Sequence, residues 1–231
     1  YELPELRVHE EVVAVDNSTA GTDRDGQALM FRSAALGLAD ASRERRENMS
    51  LKIGRVVEII NRPENKDDHF LLWHDLEAER LELCKAIPGC KAVYGSQDDE
   101  EADKVISDFR LKYLAAKPEM LGEGLNFQYH CHKAIMFIDY RFNDKFQAIA
   151  RIYRFMQQHP VDLYLVYAES EGEIFKSFMQ KWAQHREMVA NMTDIVRHNG
   201  LFGLQAEEKM MRWMFASREE KSGKLWKAIN N

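Results

Sequence analysis

From residue 69 to about residue 192, short unbroken apolar runs alternate with longer amphipathic stretches. That rhythm constrains the fold more than any other feature of the chain. Residues 70–73 (Phe-Leu-Leu-Trp), 134–138 (Ala-Ile-Met-Phe-Ile) and, after Asp162, the rest of 162–167 carry apolar side chains at consecutive positions rather than at every second one. A strand wetted on one face alternates, so these runs predict strands covered on both faces, as in a parallel sheet. Residues 91–94 and 112–116 read as two further strands. Residues 77–87, 143–157 and 172–192 read as helices. So does the stretch that Ser96 would cap, with Ala102, Val105, Ile106 and Phe109 at core spacing. The order β-α-β-α-β-β-α-β-α predicts an α/β domain, a parallel sheet flanked by helices.

The flanks follow other patterns. Residues 1–15 read as extended, with Val8, Val12, Val13 and Val15 among charges, and 16–26 as a turn-rich stretch. Residues 27–49 and 51–61 read as helical. Past residue 192 the pattern weakens, although Met210, Met211, Trp213, Met214 and Phe215 bunch together as a docking face or as core. The chain opens without methionine in the middle of a strand-like pattern, so we expect a piece of a longer protein.

Composition excludes several classes. No apolar run reaches the roughly 20 residues of a membrane-spanning helix, and the opening residues mix charge with apolar side chains, unlike a signal peptide. An odd count of three cysteines makes no disulfide framework and, without a signal, predicts the cytoplasm. The formal net charge of −6 means that any nucleic-acid contact must use a local basic rim.

The residues that carry chemistry lie in two segments. On the predicted helix 143–157, Gln147, Arg151 and Arg154 are spaced i, i+4 and i+7 and share one face, opposite a stripe of Phe146, Ile149, Ala150, Tyr153 and Met156. Two guanidiniums and an amide on one rigid face suit phosphate oxygens; the plain alternative is a solvated helix face. Upstream, Gly122 and Gly124 form a Gly-x-Gly turn, which lets a backbone approach a phosphate closely or is simply a turn.

Together these segments resemble motifs V and VI of the Swi/Snf-like superfamily-two ATPases. The stretch Gln147-Ala-Ile-Ala-Arg-Ile-Tyr-Arg-Phe-Met-Gln157 is similar to Gln-x-x-Gly-Arg-x-x-Arg-x-Gly-Gln, and Pro160, Val161 and Tyr164 match the strand that follows. Two of that pattern's glycines are replaced, by Ala150 and Met156, which points to a divergent branch of phage or mobile-element type. Met120-Leu-Gly-Glu-Gly-Leu-Asn-Phe127 resembles Ala-Gly-Gly-x-Gly-Leu-Asn-Leu, with Leu121 departing from it. Residues 70–74 stand at the motif IV position. Tyr94-Gly-Ser96 looks like the Asp-Gly-Ser element that touches the nucleic-acid backbone, with Tyr94 in place of the acid.

The resemblance implies a RecA-like helicase C-terminal domain at residues 52–195. Residues 1–16 would be a strand or linker from a missing first lobe, 17–51 a helical insertion, and 196–231 a helical tail. It implies that Arg154 and Arg151 act catalytically on phosphate, as finger and neighbour. Gln147, Gly122 and Gly124 would bind nucleotide, and Ser96, Asn126 and Lys117 DNA. The partners implied are DNA and the missing N-terminal RecA-like lobe, with no membrane.

The chain lacks a Gly-x-x-x-x-Gly-Lys-Ser/Thr loop and an Asp-Glu box, so ATP and Mg²⁺ are expected to sit mainly on the missing lobe. The isolated chain is expected to be inactive as an ATPase. His130-Cys131-His132 invites zinc, but neither Cys84 nor Cys90 completes a zinc spacing, so no metal is expected. The rival reading is a non-catalytic nucleic-acid or protein interaction module that kept the fold. A sugar-nucleotide transferase lobe lacks any positive motif.

Overall fold

The computed structural model describes residues 3–15, 46, 48–108, 111–120 and 127–199, the last five of these by backbone alone. Most of the 17–51 segment and the side chains of 196–231 lie outside the described residues, as do Phe109, Gly122, Gly124 and Asn126. The chain divides into two compact units, Tyr1–Phe178 and Met179–Asn231.

The first unit is built on a six-stranded, wholly parallel sheet. The strands are β1 (Leu6–Val13), β2 (Phe70–Trp73), β3 (Lys91–Val93), β4 (Tyr113–Ala116), β5 (Lys133–Phe137) and β6 (Val161–Ala168), ordered β1-β6-β5-β2-β4-β3. The helices are α1 (Met49–Ile60), α2 (Glu77–Ala86), α3 (Asp99–Ile106), α4 (Phe142–Ile149) and α5 (Gly172–Asn199). From β2 to α5 the succession is the expected one, and the fold is α/β, a parallel sheet flanked by helices. Every residue of β2 and β5 is buried, and all of β6 but Asp162, because helices cover both faces of the central strands.

β1 pairs with β6 along its whole length, from Leu6 opposite Val161 to Val13 opposite Ala168. It is the outer strand of this sheet, and its exposed Val8 and Val12 alternate with the inward-facing Glu11 and Val13. α1 buries Ile53, Val56, Ile59 and Ile60 against this end of the sheet, in one core with Phe70, Leu72, Ile135 and Tyr164. The helix ends at Asn61, whose N–H reaches Val57 O, and Pro63 follows.

Three expectations need correction. The helix expected over 143–157 stops at Ile149; beyond it the chain runs in turns, with Arg151 N–H donating to Ala148 O (3.2 Å) and Ile152 N–H to Ile149 O (3.1 Å). Gln147, Arg151 and Arg154 therefore do not share a helix face. Tertiary capture outweighs helix propensity here: Ile152 is fully buried and Gln157 nearly so, its amide holding backbone carbonyls.

The N-cap of α3 is Asp98, whose carboxylate accepts from Glu100 N–H (2.9 Å), not Ser96. Ser96 instead sits inside a turn closed by Gln97 N–H on Tyr94 O (3.0 Å). Finally, α3 buries none of its side chains fully; Ala102, Val105 and Ile106 are only half-covered.

Candidate functional site

In open parallel sheets the carboxyl ends of the strands are where loops gather polar groups. Here β2 runs into His74 and Asp75, β3 into Tyr94 and Ser96, β4 into Lys117, and β5 into Asp139 and Arg141. Asp75 is almost wholly buried and accepts from Arg141 Nη2 (2.7 Å) and from Lys145 Nζ, which is itself fully buried in α4. Arg141 also bridges to Asp139 (2.9 Å) and Glu119 (2.6 Å). Glu79 accepts from the backbone N–H groups of Asp75 (2.9 Å) and Leu76 (3.0 Å), fixing the start of α2. A second buried pair, Lys52 with Glu171 (2.9 Å), ties α1 to the end of β6, where Glu171 also accepts from Ala168 N–H (2.8 Å).

These charges balance one another and hold the loops. His74 stands apart: its ring is buried, neither nitrogen has a hydrogen-bond partner among the described residues, and burial pulls its pKa down to about 4 against the opposing pull of Glu79 and Asp75.

Ser96 and Lys117 follow β3 and β4, which are paired neighbours, so the two residues share one end of the sheet. Ser96 is exposed and Lys117 half-buried. Gly95 faces Met120, where a Cβ would lie 3.4 Å from the methionine sulfur. The Tyr94–Ser96 turn thus lies against the residue that leads into the glycine-rich segment 121–126.

Arg151 and Arg154 are at the other end. They lie past the C-terminus of α4, in the loop that returns to the amino ends of β5 and β6. Gln157 anchors this loop, its Nε2 donating to Cys131 O (3.1 Å) and Ile152 O (3.1 Å) while its Oε1 accepts from His159 N–H (3.0 Å). Gln128 Nε2 reaches Phe155 O (3.5 Å). Met156 adopts a left-handed backbone with φ of 73°, so the turn keeps a glycine-type conformation where the resembled motif has glycine.

Both arginines are half-buried, and neither has an ion pair among the described residues. In contrast Arg7, Arg55, Arg62, Arg80 and Arg141 each meet a carboxylate. Guanidiniums without counter-charges among the described residues can accept an external anion without first breaking a bridge. Gln147 is exposed on the last turn of α4, away from that helix's buried side, formed by Phe142, Lys145, Ala148 and Ile149.

The sequence reading missed Asp75, Arg141, Lys145 and the Lys52–Glu171 pair. An acid directly after an apolar strand, as in Trp73-His74-Asp75 and Phe137-Ile138-Asp139, was the available signal. The basic partners come from distant segments and carried none. In the His130-Cys131-His132 stretch, Cys131 is buried with its thiol on His69 O (3.0 Å) and Lys133 O (2.9 Å), while His132 faces Asp68 (3.6 Å).

No protein-family model matches the chain, and no curated protein does. Among solved structures it is similar to the C-terminal part of the Fun30 ATPase domain, at 18% identity and a TM-score of 0.47, over 55% of this chain and 44% of that one. It is also similar to a variant of the S. cerevisiae Dbp5 C-terminal domain bound to Gle1 and IP6, at 11% identity and a TM-score of 0.46, over 61% of this chain and 80% of that one. The chain thus spans less than half the length of the Fun30 chain it matches. Among the described residues no helix is long and apolar enough to cross a membrane.

Proposed function

We propose that this chain is the second motor lobe of an ATP-dependent DNA helicase or translocase of the Swi/Snf-like type. The observation that carries this reading is that two guanidiniums, Arg151 and Arg154, have no ion pair among the described residues and stand in the segment that resembles motif VI. Their turn keeps its left-handed residue although glycine is gone at Met156. That retained geometry favours a working motif over the rival reading, a non-catalytic interaction module.

In this proposal Arg154 is the finger and Arg151 its neighbour, both gripping phosphate oxygens of a nucleotide carried by another lobe. Gln147, Gly122 and Gly124 complete the nucleotide side. ATP with Mg²⁺ supplies a transferable phosphoryl group when bound. The chain's own part is to place positive charge where negative charge gathers, an effect worth about 10³ to 10⁵ in rate for such fingers. Ser96 and Lys117, at the opposite end of the sheet, would hold the DNA backbone, with Asn126 as a further contact. Closing and opening of two lobes would then become a shift of grip along the strand. Alone, the chain has no phosphate-binding loop of its own in its sequence and is inactive.

The test is to join the chain to a nucleotide-binding first lobe and measure DNA-stimulated ATP hydrolysis with and without Arg154→Ala. The expected outcome is a fall of about 10³ or more in turnover with DNA binding retained. Equal turnover refutes the finger assignment, and failure of every DNA to stimulate favours the interaction module.

A further inference from the structure

Cys84 and Cys90 bracket the turn between α2 and β3, and their sulfurs are 3.9 Å apart. Cys84 lies in the last turn of α2; Cys90 immediately precedes β3. The chain reverses between them through Pro88 and Gly89, whose φ of 80° only glycine adopts freely, and Cys90 N–H closes the turn on Ile87 O (3.1 Å). That turn carries the two cysteines back alongside each other, with their sulfurs 3.9 Å apart. Cys90 is buried and Cys84 half-buried, so a small reagent meets Cys84 first.

The surroundings favour a thiolate at Cys84. Its hydrogen bond with Cys90, then Arg80 one helical turn earlier and Lys91 beside Cys90, pull its pKa down to about 7. The same bond, with burial, pushes the Cys90 thiol up. The third cysteine, Cys131, is buried, gives its thiol to two backbone carbonyls, and has its pKa pushed up to about 12 by burial.

We propose that Cys84 and Cys90 form a modification site that takes up oxidising equivalents from a low-molecular-weight disulfide such as oxidised glutathione and closes into an intramolecular disulfide. The Cys84 thiolate attacks one sulfur of the reagent; the reagent's S–S bond breaks and one glutathione thiolate leaves. Cys90 then loses its proton to solvent, and its sulfur attacks Cys84 Sγ, expelling the second glutathione thiolate. The protein loses two electrons and two protons, and one small disulfide becomes two thiols. To reach a bond of roughly 2.05 Å the sulfurs must close by a little under 2 Å, within the span of side-chain rotation.

The site also has a line to its neighbours. Arg80, on the same helix, lies 4.1 Å over the Tyr94 ring, and Tyr94 opens the turn that presents Ser96. A bond across the α2–β3 turn would tether both elements that hold that turn. The thiol chemistry itself stands apart from the motor proposal.

The test uses the full reduced chain, folded, exposed to oxidised glutathione, acid-quenched, alkylated and mapped by mass spectrometry. The expected product is one internal Cys84–Cys90 disulfide with Cys131 alone alkylated. Cys90→Ser should instead accumulate glutathione on Cys84, and Cys84→Ser should take up none under the same conditions. Alkylation of Cys84 in the unmodified chain should titrate with a midpoint near 7 and move upward in Cys90→Ala. A bond to Cys131, a glutathione that stays on Cys84 of the unmodified chain, or no reaction at Cys84 overturns the proposal. If a variant fails to fold, the disulfide map of the unmodified chain decides alone.

Discussion

Replacing Met156 by alanine and by glycine isolates the backbone of the turn that follows Arg154. Both variants lose the methionine side chain beyond Cβ, so they differ from each other in backbone freedom and one methyl group. The direct comparison with methionine would be confounded, because that side chain is only 43% exposed and its covered part contributes packing. With φ at 73°, an L-residue pays the left-handed penalty of roughly 1–2 kcal/mol. Glycine escapes it but gives up about 0.5–1 kcal/mol of extra chain entropy on folding. The difference leaves Met156→Gly more stable than Met156→Ala by about 0.5–1 kcal/mol, the reverse of the usual order. For a domain of this size that corresponds to roughly 1–4 °C in Tm. Urea or thermal unfolding of the two variants under identical buffer makes the measurement. If alanine equals or exceeds glycine, residue 156 is not held in the left-handed region. The turn after Arg154 then does not keep a glycine-type backbone at Met156.

Other expectations follow from the polar interior. Gln157→Leu fills the same space but orphans the carbonyls of Cys131 and Ile152, and should cost about 1–3 kcal/mol in urea unfolding. Lys52→Met leaves Glu171 buried without its cation and should cost about 3–5 kcal/mol, whereas adding Glu171→Gln should recover much of that; a double variant no better than the single one would show that the two do not act as a pair. His74 is depressed to about 4 by burial, so the folded state favours the neutral ring. Its contribution is fully present above pH 6.5, where the unfolded chain is also neutral, and is lost as pH falls from 6.5 to about 4. The loss amounts to roughly 3 kcal/mol at most, and His74→Met should flatten that part of the stability–pH curve; an unchanged curve would mean the ring is solvated.

Much of the fold was legible because burial on both faces leaves a local mark. The runs 70–73, 134–138 and 162–167 each became a strand of the parallel sheet, and the alternation with helices survived intact from β2 to α5. Boundaries failed where a distant partner decided them. Nothing near Arg151 in sequence says that Ile152 and Gln157 will be drawn into the amino end of the sheet, yet that capture ends α4 at Ile149 and separates both arginines from the face of Gln147. Similarly, Ser96 and Asp98 are both good caps by type, and only the turn at Tyr94 decides between them.

The candidate site divides along the same line. By itself the sequence determined which residue types recur at motif spacing: two arginines, a glycine turn, a serine after a strand. Such patterns are local, and helix and turn periodicities preserve them. Only the tertiary structure decided which charges are already spent. It neutralised Arg141, Lys145 and Lys52 against acids 66, 70 and 119 residues away, and left Arg151 and Arg154 without partners among the described residues. Charge pairing depends on distance in space, at about 3 Å, which no spacing along the chain encodes.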